Sequence, residues 1–251
     1  MSSRPPHIDV RESALFLDLD GTVLDIAARP ELVVMSNAVR HALEVIETVG
    51  GFALALVSGR SLADLDHIVS PLRLPAAASH GAELRPDPDG PVLRTSWKPD
   101  PAVVADIEAL TQAHQELIVE SKTASIAIHF RAKPDLEPIV RRHLEAARDS
   151  ADQNLELMTG KMVLELRRAD CHKGAAIRHL MTAPRFEGRR PVFVGDDVTD
   201  EDGFAAVNAL GGISIKVGDM ASTTASYQLE HVSAVHDWLA SLAFTETRAT
   251  L

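Results

Sequence analysis

Short apolar runs that stop at turn-forming residues set the fold this chain can adopt. Residues 14–17, 52–57 and 191–194 are three of them, stopping at Asp18, at Ser58-Gly59-Arg60 and at Gly195-Asp196-Asp197. Unbroken apolar runs of this length are the pattern of strands buried on both faces. Helical periodicity follows or precedes each one. Val39, Leu43 and Ile46 carry it within 37–49, and further helices are expected over 62–69, 173–181 and 201–210. The first strand is expected over 14–19, with others at 75–79 and 213–217. Strands alternating with helices predict a parallel sheet with helices packed on its faces.

The alternation is interrupted once. Arg85-Pro86-Asp87-Pro88-Asp89-Gly90-Pro91 is dense in turn formers. After it the pattern reads helix 101–115, strands 117–122 and 125–131, helix 136–148, then a hairpin of 155–158 and 162–167 around Thr159-Gly160-Lys161. Helix–strand–strand, twice, predicts a small antiparallel sheet with helices on one face. The expected organisation is therefore an α/β, Rossmann-like parallel-sheet core from residues 1–85 and 170–251, with an inserted α+β cap domain over 86–169. Two chain crossings between the parts favour a hinge.

Charge narrows the function classes. The 251 residues hold 25 Lys and Arg against 36 Asp and Glu, a formal net charge of -11. That balance argues against non-specific nucleic-acid or membrane-surface binding. The single cysteine, Cys171, excludes an intrachain disulfide framework. Residues 1–11 are polar, and no stretch approaches the ~20 apolar residues needed to span a bilayer. A cytoplasmic protein acting on a small molecule is the expectation.

The strand ends carry the chemistry. The first run leads into Asp18-Leu19-Asp20-Gly21-Thr22. In an extended strand the side chains at i and i+2 share a side, so both carboxylates are expected to converge where an open parallel sheet binds ligands. Such a pair needs a cation or a shared proton. Gly21 permits close backbone approach, and the amides of Gly21 and Thr22 are expected to cradle an anion. The set implies a metal, a perturbed pKa or both, and a carboxylate nucleophile with a divalent cation and a phosphate cradle is the expectation. Ser58 ends the second strand, Lys173-Gly174 opens a helix, and Gly195-Asp196-Asp197-Val198-Thr199-Asp200-Glu201-Asp202 follows a third strand.

These four segments, in this order, resemble the haloacid dehalogenase superfamily of phosphatases. The resemblance implies that Mg²⁺ is held by the Asp18 carboxylate, the Asp20 backbone carbonyl and the Asp196 carboxylate. It implies that Asp18 attacks phosphorus, and that Asp20, held neutral by its surroundings, protonates the leaving oxygen. Ser58 and Lys173 then contact the phosphoryl oxygens. Asp197 and Asp200 orient metal waters and Lys173.

A second resemblance extends through the insert. Asp18 to Asp25, Ser58-Gly59-Arg60, His80-Gly81-Ala82-Glu83, Glu120-Ser121-Lys122, His129-Phe130-Arg131, Gly160-Lys161 and the run from Gly195 to Phe204 are similar to the signatures of trehalose-6-phosphate phosphatases. The family implies substrate contacts for Arg60, and disaccharide contacts for Glu120, Lys122, Arg131, Lys161 and Glu165. It implies a functional link to trehalose-6-phosphate synthase, and a cap that closes over the core. Mixed acids and bases suit a polyhydroxylated ligand, since carboxylates accept from sugar hydroxyls and cations donate to them. Two other readings stand beside this one: a phosphatase of another sugar phosphate, such as sucrose-6-phosphate or a mannosyl phosphoglycerate, and a catalytically silent sugar-phosphate sensor.

Overall fold

The structure is a computed structural model, and it describes residues 4–26, 33–49, 53–95, 97–121, 124–151, 154–160 and 162–249. The chain begins with β1 (Ser13–Leu17), α1 (Asn37–Val49), β2 (Ala53–Val57), α2 (Leu62–Val69), β3 (Ala76–Ala78), β4 (Glu83–Arg85) and β5 (Leu93–Arg94). Next come α3 (Pro101–Ala113), β6 (Ile118–Ser121), β7 (Ser125–His129), α4 (Glu137–Ser150), β8 (Leu155–Gly160) and β9 (Val163–Arg168). It closes with α5 (Lys173–Leu180), β10 (Arg190–Gly195), α6 (Glu201–Ala209), β11 (Ile213–Val217), β12 (Tyr227–Leu229) and α7 (Val232–Ala249).

Two compact units result, one from Met1–Arg94 with His172–Leu251, the other from Thr95–Cys171. The sequence reading puts the first crossing after residue 85. The first unit instead runs on to Arg94, because β4 and β5 add antiparallel strands to the edge beyond β3.

The first unit is a three-layer sandwich. Its sheet has the order β12-β11-β10-β1-β2-β3-β4-β5, with parallel pairing from β12 through β3. On β1, Leu15 and Leu17 face one apolar layer with Leu43 and Ile46 of α1, Leu65 of α2 and Leu239 of α7. Ala14 and Phe16 face the other, with Ile177 of α5 and Phe204 of α6. Both faces of β1 are buried, which is why its sequence shows no alternation. The chain progresses outward from β1 through β2 to β3, then resumes at β10 on β1's other side and runs to β12. Strand order thus reverses between β1 and β10, and the carboxyl ends of strands at such a reversal form a crevice.

The second unit is an antiparallel sheet in the order β6-β7-β9-β8. Ile126, Ile128, Leu164 and Leu166 share an apolar cluster with Val103 and Ile107 of α3 and Val140 and Leu144 of α4. The side chains between them, including Glu120, Ala127 and Glu165, belong to the opposite face.

Candidate active site

Asp18 leaves β1 at the strand-order reversal. Its amide donates to the Val194 carbonyl of β10 at 3.0 Å, extending the pairing by one residue, and its side chain is buried. The chain then turns. The amides of Thr22, Val23 and Leu24 converge on the Leu19 carbonyl, and the Gly21 amide donates to Leu24 O at 2.7 Å. Two expectations change here. The strand stops at Leu17, and the side chains of Asp18 and Asp20 take different partners, Lys173 and Arg60. The amides of Gly21 and Thr22, expected to cradle an anion, are both used inside the turn.

The carboxylates that do converge come from two strand ends. Oxygens of Asp18, Asp196 and Asp200 lie within 4.8 Å of one another. Lys173, buried at the start of α5, puts its ammonium between two of them, 2.7 Å from Asp18 Oδ1 and 2.6 Å from Asp200 Oδ1. The Thr22 hydroxyl is 3.1 Å from Asp18 Oδ2 and 3.3 Å from Asp196 Oδ1. Asp200 Oδ2 accepts from the amides of Asp196 and Asp197, both at 2.9 Å. With both oxygens engaged, Asp200 fixes the loop and the lysine. Asp197 caps the single 3₁₀ turn over Val198–Asp200, accepting from the Val198 amide at 2.7 Å. Close approach decides Gly195: a Cβ there would lie 2.4 Å from Asp200 Cγ.

Negative charge exceeds positive in this cluster. Burial, countered in part by Lys173 and reinforced by Asp200 and Asp196, raises the Asp18 carboxyl to about 7. Burial and the charges of Asp200 and Asp197 raise Asp196 too. Burial opposes the charge on Lys173, but Asp18 and Asp200 outweigh it and raise its pKa. Oxygen-only donors in a site short of positive charge fit a hard divalent cation. Asp200 is held by Lys173 and two backbone amides whereas Asp18 Oδ2 meets a rotatable hydroxyl, so Asp18 and Asp196 are the carboxylates placed to hold it.

Ser58 follows β2 and is buried; its Oγ accepts from the Arg60 amide at 3.3 Å. Arg60 forks onto Asp20, with Nε 2.5 Å from Oδ2 and Nη2 2.6 Å from Oδ1. That hydrogen bond is the main cause raising the Arg60 pKa. The Asp20 side chain, expected from sequence to protonate the leaving oxygen, thus has both of its oxygens against the Arg60 guanidinium.

Two contacts escape a sequence reading. Lys216 of β11 donates its ammonium to the Asp196 carbonyl. It is the lone charged residue in an otherwise buried strand, a signal visible in Ile213-Ser214-Ile215-Lys216-Val217. His236 of α7, read from sequence as a surface histidine, is half-buried with Nε2 2.8 Å from Val23 O.

In the second unit, Glu120, Ala127, Glu165 and Met158 form one row across the sheet. Glu120 and Glu165 therefore flank Ala127 on one face, about two strand spacings or ~10 Å apart. Glu120 Oε2 lies 3.0 Å from His129 Nε2, and the Ser125 hydroxyl donates to Glu165 at 2.5 Å. Arg131 is exposed, next to Phe130, whose amide donates to Met162 O at the β8–β9 turn. Lys122 and Lys161 lie outside the described residues.

Among the described residues no helix is long and apolar enough to cross a membrane. Residues 16–233 match the family described as trehalose-phosphatase. The chain is 40% identical over 211 residues to a probable trehalose-phosphate phosphatase of Sinorhizobium fredii, covering 84% of this chain and 79% of that one. It is 39% identical over 232 residues to the trehalose-6-phosphate phosphatase of Escherichia coli, covering 90% and 85%. A solved structure of Aspergillus fumigatus trehalose-6-phosphate phosphatase superposes with a TM-score of 0.76 at 23% identity, covering 98% of this chain and 100% of that one. A Bacteroides thetaiotaomicron phosphatase of the haloalkanoate (HAD) superfamily superposes at 0.69 with 15% identity, over 96% and 98%, and shares the fold. The match spans the strand-end aspartates, Ser58, Lys173 and the Asp196–Asp200 loop, and this chain belongs to the trehalose-phosphatase family.

Proposed function

We propose that this protein hydrolyses trehalose 6-phosphate to trehalose and phosphate, through an aspartyl-phosphate on Asp18. The observation that carries the reading is the Lys173 ammonium bridging Asp18 and Asp200 beside the Asp196 carboxylate. Lys173 anchors Asp18 Oδ1 and leaves the other oxygen to attack phosphorus. The P–O bond to the sugar breaks as Asp20 gives its proton to the leaving oxygen. Water then attacks phosphorus, Asp20 takes its proton, and Asp18 is released. The Ser58 hydroxyl and the Lys173 ammonium meet charge on the equatorial phosphoryl oxygens. Mg²⁺ is the cation this donor set suits, on Asp18, Asp196 and the Asp20 carbonyl, and when bound it screens nucleophile from phosphate and polarises the phosphoryl group.

Specificity is assigned to the second unit. Glu120, Lys122, Arg131, Lys161 and Glu165 are the proposed contacts to the glucose units, with Glu120 and Glu165 accepting from hydroxyls. A trehalose-6-phosphate synthase is the functional partner this implies, as supplier of substrate. The test is phosphate release from trehalose 6-phosphate, sucrose 6-phosphate and glucose 6-phosphate, with Mg²⁺ and with chelator. Preference for trehalose 6-phosphate, lost with chelator and in Asp18→Asn, is expected. Equal rates on all three esters, or full activity in Asp18→Asn, would overturn it.

A further inference from the structure

Arg60 is expected from sequence to bind substrate, yet its environment is built for another task. Its carbonyl accepts from the Ser79 amide at 2.7 Å, and the neighbouring Ser58 carbonyl accepts from the His80 amide at 3.1 Å. Ser79 and His80 hold left-handed conformations, φ 50° and 55°. Non-glycine residues rarely adopt that region and persist there where surrounding structure enforces it. Glu83 supplies part of that enforcement, accepting from the Leu62 amide at 3.2 Å and the Ser79 hydroxyl at 3.4 Å. The motif His80-Gly81-Ala82-Glu83 thus fixes the turn that carries Ser58 and Arg60. Out of that turn the Arg60 side chain, 14% exposed, reaches both oxygens of Asp20.

We propose that Arg60 is a positioning residue that holds the Asp20 carboxylate for the second half of the reaction. The proposal rests on the aspartyl-phosphate reading above. In the first half Asp20 loses its proton to the leaving oxygen, and the guanidinium fork receives the carboxylate so formed. In the second half water's oxygen bonds to phosphorus, the bond from phosphorus to Asp18 breaks with its electron pair returning to Asp18, and water's proton passes to Asp20. For that transfer the carboxylate must be fixed in direction. Two parallel N–H···O bonds occupy one acceptor position on each oxygen and leave each oxygen another for water. A lysine carries one point charge and lacks the fork. Binding substrate phosphate through the same Nε and Nη2 would require leaving Asp20.

The experiment follows p-nitrophenyl phosphate in the pre-steady state, on the full chain with Mg²⁺, for wild type, Arg60→Ala and Arg60→Lys. A nitrophenolate leaving group needs no proton, so formation of the phosphoenzyme stays fast and its hydrolysis is isolated. Both variants are expected to give a burst of about one nitrophenolate per chain, then steady turnover about 10-fold or more below wild type. The Asp18-phosphorylated fraction trapped by acid rises above wild type, and KM falls together with kcat, so that kcat/KM changes by less than about 3-fold. Arg60→Lys, which keeps the charge, serves if Arg60→Ala fails to fold. A raised KM without a burst would make Arg60 a substrate ligand and overturn the assignment while leaving the phosphatase reading intact. Absence of acid-trapped phosphate on Asp18 in wild type and variants alike would remove the aspartyl-phosphate reading and this assignment with it.

Discussion

Gly21 faces Asp196 so closely that a Cβ on it would lie 2.1 Å from Asp196 Oδ2, and its φ of +79° is one that L side chains rarely adopt. Both facts forbid alanine. Gly21→Ala is expected to displace the Asp196 carboxylate and to cost about 1–3 kcal/mol in backbone strain. Mg²⁺ titration by calorimetry and a denaturant melt check the two effects. Wild-type Mg²⁺ affinity in Gly21→Ala would show that Asp196 is not a metal ligand.

Lys173 is the buried cation between Asp18 and Asp200. Lys173→Met leaves two buried carboxylates without their partner, and breaking a buried pair on one side costs about 3–5 kcal/mol. Turnover is expected to fall to background and the urea midpoint to drop. A variant as stable as wild type at neutral pH would show that the carboxylates are compensated elsewhere.

Metal binding should depend on pH in a stated direction. In the folded state Asp18 is raised to about 7, above the ordinary carboxylate value of 3.8, chiefly by burial. A raised carboxyl adds stability that is complete below the unfolded pKa and is lost as pH climbs through the folded one. The metal-free protein therefore loses this contribution between about pH 4 and about pH 7. A cation that binds Asp18 displaces its proton, so its apparent affinity weakens as pH falls below about 7, approaching tenfold per unit. The rise in melting temperature on adding Mg²⁺ is expected to be larger near pH 8 than near pH 6. An equal rise at both would contradict the raised value.

Glu120 and Glu165 offer a test of where sugar recognition resides. Replacing either by alanine is expected to lower kcat/KM on trehalose 6-phosphate by roughly 10–100-fold, the loss of about 1–3 kcal/mol of hydrogen bonding. Activity on p-nitrophenyl phosphate should stay near wild type, since that ester lacks the sugar. Parallel loss on both substrates would assign these residues to folding.

Much of the fold was legible because buried parallel strands leave unmistakable runs. β1, β2, β10 and β11 and the helices between them fall within one or two residues of their expected limits among the described residues. β4, β5 and β12 were not read, being two or three residues long with no room for a period. The aspartates, Ser58 and Lys173 were legible as chemistry at strand and helix ends. Of their contacts the family resemblance gave Asp200 beside Lys173, an ion pair the structure contains, while that of Asp20 with Arg60 was not legible. Alternation along a strand placed Asp20 beside Asp18, but alternation ends where the strand does, at Leu17. Lys173, the ammonium paired with Asp18, is 155 residues away in sequence, and no local pattern encodes which lysine reaches it. His236 and Lys216 were hidden for the same reason, each acting on a backbone carbonyl of a distant loop.

The position of β1 between β2 and β10 has a consequence for synthesis. A chain emerging from the ribosome completes β1 and β2 early, but β10 follows only after the whole of Thr95–Cys171. Until then one side of β1 presents unpaired amides and carbonyls, an edge open to wrong partners. Asp18 is made early, with β1, yet the ammonium and the carboxylates beside it do not all exist until Asp200 has been made. Activity in a nascent or truncated chain thus reports that β10 has joined the larger sheet.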